Sequence, residues 1–153
     1  MSNSAELLIL MKFTGQNLAL FCGGLFSGAA IYVSLTECPP RTALSRPDLL
    51  MLTRSVAGRT TTLLASLAGI ATLTAIAAAI AGGGKFWLAG GMVHALMLSY
   101  LLSDVRAIAG ALEQLDPDQH SDTEANRLLQ RRSAQFGLLG LGGMLAQYFF
   151  IMG

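Results

Sequence analysis

Four stretches of the chain carry no Asp, Glu, Lys or Arg: Asn17 to Leu35, Leu63 to Ala81, Phe86 to Ser103 and Phe136 to Met152. Each is 17 to 19 residues long. An α-helix rises about 1.5 Å per residue, so about 20 apolar residues cross a hydrocarbon core of roughly 30 Å. Lipid offers the backbone no hydrogen bonds, which leaves only helices or closed barrels as spanning structures. None of the four runs alternates apolar with polar residues, and that excludes barrel strands. The expected fold is all-α, a four-transmembrane-helix up-down-up-down bundle formed as one membrane domain over residues 1–153. Its spans are expected at about 17–36, 60–81, 86–104 and 135–152.

Composition supports lipid as the solvent. Charged residues make up 12% of the chain, against about 25% in a soluble domain, and the mean hydropathy is +0.56. A net charge of +1 gives no field for nucleic acid. Leu7 to Met11 is too short for a signal-peptide core and is followed by Lys12, so the first run is read as a retained helix. Cys22 and Cys38 imply no disulfide framework.

The basic residues are segregated. Arg41, Arg46, Arg54 and Arg59 lie between the first two runs, and Arg106, Arg127, Arg131 and Arg132 between the last two; the opposite side has only Lys12 and Lys85. The positive-inside rule then makes loops 37–59 and 105–134 cytoplasmic and puts both termini outside, in a bacterial inner membrane. Trp87, Tyr148, Phe149 and Phe150 are expected in an outer aromatic belt, with Tyr32 and Tyr100 at the inner interface. Arg46-Pro47-Asp48 reads as a helix start, residues 104–115 as a helical extension of the third span, and Ser121 to Glu124 as a capping box. Gly82 to Lys85 is a short turn joining adjacent helices. Gly24 and Gly28 form a GxxxG, which serves either packing inside the bundle or a dimer.

Few residues here can do chemistry. His94 lies at the middle of the third span, where an ionisable group is costly and marks a candidate proton acceptor or ligand-binding group. It can equally be a neutral histidine bonded to Thr72, Thr74 or Gln147. With two histidines in the chain and no carboxylate in any span, no metal site is expected, since catalytic sites generally use about three protein ligands. Glu37, Arg41, Asp104 and Arg106 fall at the cytoplasmic boundary. They pin helix ends as ion pairs, or form a mouth walled by Tyr32 and Tyr100. Asn17 at the outer end of the first span either lines a pocket or faces headgroups.

The segment Gly28-Ala29-Ala30-x-Tyr32-x-Ser34-Leu35-x-Glu37-x-Pro39-x-Arg41 resembles the opening motif of the anthrone oxygenase-like family of small four-helix membrane proteins, many of them known only as a domain of unknown function. The likeness lies mainly in residues 23–41. Family members often have Pro-x-Asn where Leu102-Ser103-Asp104 stands here, and His where Cys38 stands. The Trp, His and Arg that often lead into their fourth helix fall on Arg132, Phe136 and Leu139, so those groups are not matched. The resemblance implies oxidation of an activated phenolic ring by molecular oxygen without a cofactor. Such chemistry needs a base and a dry pocket, and His94, Glu37 or Asp104 would be that base, with Tyr32, Arg41, Tyr100 and Asn17 toward the ligand. Two functions are therefore expected. One is binding or oxidation of a lipophilic small molecule within the bundle; the other is a non-catalytic accessory or scaffold subunit that packs on a membrane protein partner or a second copy. Four spans without an internal charge leave little for a transporter to couple.

Overall fold

A computed structural model describes residues 2–37, 46–114 and 122–153. All described secondary structure is helical. Helix α1 (Ser2–Tyr32) continues into a π-helical turn, Val33–Glu37; α2 (Arg46–Ala78) ends in a second, Ala79–Gly83. Helix α3 (Lys85–Tyr100) runs through a third, Leu101–Val105, into the short α4 (Arg106–Gln114), and α5 spans Asp122–Met152. Four helical segments are long and apolar enough to cross a membrane: Ser4–Leu35, Gly58–Gly83, Lys85–Ile108 and Asn126–Met152.

The helix ends follow the local sequence. Helix α2 starts at Arg46, with Pro47 in its first turn, where a missing N–H is harmless. Gly82 and Gly84 both take φ 91°, a left-handed backbone that favours glycine, and this is how the chain turns from α2 to α3 in so few residues. Ser121 and Cys38 to Arg41 lie outside the described residues, so neither the capping box nor the end of the family-like motif is placed.

Within the helices, Ser and Thr hydroxyls donate to carbonyls one turn back, as Ser27 does to Gly23 (2.8 Å) and Thr72 to Ala68 (2.8 Å). This satisfies polar groups without a partner helix. Between helices, Ser34 and Ser133 exchange bonds, each hydroxyl donating to the other's carbonyl at 3.0 Å.

Helix α1 packs on α2 and α5, and α3 packs on the same two helices. The buried side chains form two apolar clusters. One gathers Phe26, Ala30, Val33, Leu64, Ala68, Leu101, Val105, Phe136 and Leu139. The other gathers Ala19, Ala75, Ala78, Trp87 and Phe150. Trp87 and Phe150 thus turn into the bundle instead of joining an interfacial belt; Tyr148 alone of that group is largely exposed. The small residues make these contacts close. A Cβ on Gly140 would overlap Ile31, and one on Gly143 would overlap Ser27. Gly24 and Gly28 behave differently: both are exposed with nothing within 4 Å of a Cβ, so their GxxxG is not a seam inside this bundle.

Candidate functional site

The two clusters meet at His94, which is fully buried. Its Nδ1 lies 3.2 Å from the Gly90 carbonyl oxygen. A carbonyl can only accept, so Nδ1 carries the proton and Nε2 holds the lone pair. Neither Thr72 nor Thr74 partners the ring; their hydroxyls are spent on Ala68 and Ile70.

Aromatic rings wall the imidazole. Phe150 stacks on it, with centroids 5.6 Å apart and planes within 2°; Phe26 meets it edge-on at 5.8 Å. The other face of the Phe150 stack is Trp87, at 4.8 Å and 13°. Trp87 and His94 are seven residues apart on α3, about 10.5 Å along its axis, so one ring fills the space between them. Each such aromatic pair adds about 1 kcal/mol beyond its burial. Gly90, between the two, makes room: a Cβ there would overlap the Phe150 ring and come within 3.0 Å of the Ala146 carbonyl.

His94 Nε2 and the Gln147 side-chain nitrogen are both buried without a hydrogen-bond partner. They converge on Gly23. A Cβ on that glycine would overlap the Gln147 nitrogen and sit 2.9 Å from His94 Nε2. Gly23 therefore lets an imidazole from α3 and an amide from α5 approach the α1 backbone together. Gln147 as a whole is only half-buried, so this corner lies near the outer face of the bundle. A lone pair beside an amide donor can take a proton from a hydroxyl and bond its oxygen.

The other expected site residues are not gathered here. Asp104 lies ten residues beyond His94 on the same helical run, about 15 Å along the axis. It is exposed, and its carboxylate accepts from the Ser103 hydroxyl at 2.9 Å. Tyr32 is 59% exposed, while Tyr100 packs against the Phe26 cluster. Asn17 is exposed. The backbone of Glu37 ends the first π-helical turn, and Arg41 lies outside the described residues. Arg132 is buried, with its guanidinium 5.4 Å over the Phe136 ring, a cation–π contact that shelters a charge near the end of a span. Among the described residues, no three His, Cys, Asp or Glu side chains gather as a metal site would need.

Gly23, Phe26, Gly90 and Phe150 were not legible as site residues. The one available signal was Gly90 standing four residues before His94, one turn back on the same face.

No family model matches the chain, and no curated protein or solved structure matches it significantly.

Proposed function

We propose that the chain is an integral membrane protein of up-down-up-down topology that binds a lipophilic small molecule within the bundle, at His94 and Gln147. One observation carries this reading: two buried nitrogens without partners converge on the same glycine. An unsatisfied buried polar group costs about 1–3 kcal/mol, and a membrane interior offers no water to relieve it. A hydroxylated aromatic ligand satisfies both atoms. Its O–H donates to Nε2, its oxygen accepts from the Gln147 amide, and its ring packs beside Phe26. In the oxidative form of the reading, which rests on the likeness of residues 23–41 to anthrone oxygenases, Nε2 takes the phenolic proton and the electron-rich phenolate reacts with molecular oxygen.

The test compares 2-naphthol with naphthalene on the purified protein in detergent. Wild type should bind the naphthol about tenfold more tightly, the worth of a hydrogen bond or two. His94→Phe and Gln147→Leu should remove that preference while binding naphthalene as before. Equal affinity of wild type for the two compounds would overturn the reading. It would favour the scaffold alternative, which the open Gly24 and Gly28 face of α1 supports.

The excess of arginine in residues 37–59 and 105–134 supports an inner-membrane location with those segments cytoplasmic. In a chain with Cys22 and Cys38 replaced by serine, Arg46→Cys should react with an impermeant maleimide only after the cells are opened, and Lys85→Cys before. Labelling of position 46 in intact cells would reverse the orientation.

A further inference from the structure

A groove of about 670 Å³ lies between α2 and the α3–α4 run, lined by Gly58, Thr61, Thr62, Ala65, Leu102 and Arg106, with Ser66 and Gly110 completing it. It shares no wall residue with the His94 corner. Its position is defined by the spans. The charge-free run Leu63 to Ala81 begins, and the run Phe86 to Ser103 ends, within the stretches of chain that line it, so the groove sits where the two apolar runs give way to charged chain.

The lining is graded. Ala65 and Leu102 supply apolar wall, Thr62 and Ser66 supply hydroxyls, and Arg106 supplies a positive charge. Arg106 is exposed, and no carboxylate pairs with it among the described residues. The hydroxyls of Thr62 and Ser66 donate to Gly58 and Thr62 carbonyls (2.9 Å each), which leaves the guanidinium as the main donor facing the groove. The floor is low because Gly58 and Gly110 have no side chain, and a Cβ on either meets nothing within 4 Å.

We propose that this groove is a binding site for one anionic phospholipid, its phosphate on Arg106 and the upper part of an acyl chain against Ala65 and Leu102. The guanidinium pairs with phosphate oxygens through two parallel hydrogen bonds. Ala65 and Leu102 fall inside the charge-free runs and Arg106 outside them, so a headgroup and its chain are held in their natural order. A free phosphate matches only the cation, and a zwitterionic lipid brings its own ammonium to compete for the phosphate. This reading does not depend on any ligand at His94.

Native mass spectrometry of the full chain in detergent tests it, with phosphatidylglycerol, phosphatidylcholine and glycerol phosphate as probes. One phosphatidylglycerol should bind at least about tenfold more tightly than phosphatidylcholine, the value of a charge-assisted pair, and glycerol phosphate should not bind measurably. Arg106→Gln should abolish the preference, and Gly110→Leu should block the lipid by filling open space without disturbing a packed contact. Arg127→Gln and Arg131→Gln, which remove exposed arginines of α5, should leave binding unchanged. Circular dichroism establishes that each variant keeps its helicity. Equal loss from Arg131→Gln and Arg106→Gln would reduce the effect to general charge attraction and overturn the site, as would binding of glycerol phosphate as strong as that of the lipid, or full retention of the preference by Arg106→Gln.

Discussion

Gly90→Leu is expected to be among the most damaging single substitutions in the bundle. Even a Cβ at this position overlaps the Phe150 ring. The ring cannot slide along α3, because Trp87 stacks at 4.8 Å on one side and His94 at 5.6 Å on the other. Nor can the wall behind it yield, since the Ala146 backbone carbonyl would lie 3.0 Å from the same Cβ. Overpacking a tight contact costs about 1–3 kcal/mol for small insertions. Gly90→Ala should fall in that range and Gly90→Leu beyond it. Thermal unfolding in detergent, followed by circular dichroism, reads the difference. Gly69→Leu is the control, because a Cβ there meets nothing within 4 Å. Equal midpoints for the two leucine variants would mean that the aromatic stack is not what holds α3 to α5.

Two adjacent glycines supply the second contrast. Gly23→Val should displace the Gln147 amide and push His94, costing about 1–3 kcal/mol and erasing the preference for naphthol over naphthalene. Gly24→Val, one residue on, should change neither, because its Cβ faces open space. Unfolding midpoints and the same pair of ligands measure both effects. Identical behaviour of the two variants would separate Gly23 from the site and leave the buried nitrogens without a role.

The spans were legible because length and charge are properties of a line of sequence. Four charge-free runs led to four apolar helices, Pro47 marked the start of α2, and the glycines of 82–84 marked its turn into α3. Which glycines face inward was not legible. In a glycine-rich helix several registers satisfy small-xxx-small spacing, and only the neighbouring helix selects one. Gly24 and Gly28 stood out as a pair, yet Gly23, Gly140 and Gly143 make the close contacts. The π-helical turns Val33–Glu37 and Leu101–Val105 carry no proline to announce them, and such a turn rotates every later side chain about the axis. Asp104 lies inside the second of these turns, whereas Tyr32 and Tyr100 are the last α-helical residues before them, so depth along a span brought the three together in the sequence without fixing which way each faces. His94 was visible as the one histidine inside a span, but its companions come from α1 and α5, too far along the chain for spacing to pair them.

Because Phe150 lies between the imidazole and the indole, the centre of the bundle and its Trp87 end share one aromatic partition. Trp87 is the only tryptophan in the chain, and it is 3% exposed. The protein thus carries a single internal light source, shielded from solvent, whose nearest neighbour is also the wall of the histidine. Its ultraviolet emission belongs to one place in the molecule, and no label has to be introduced to watch that place.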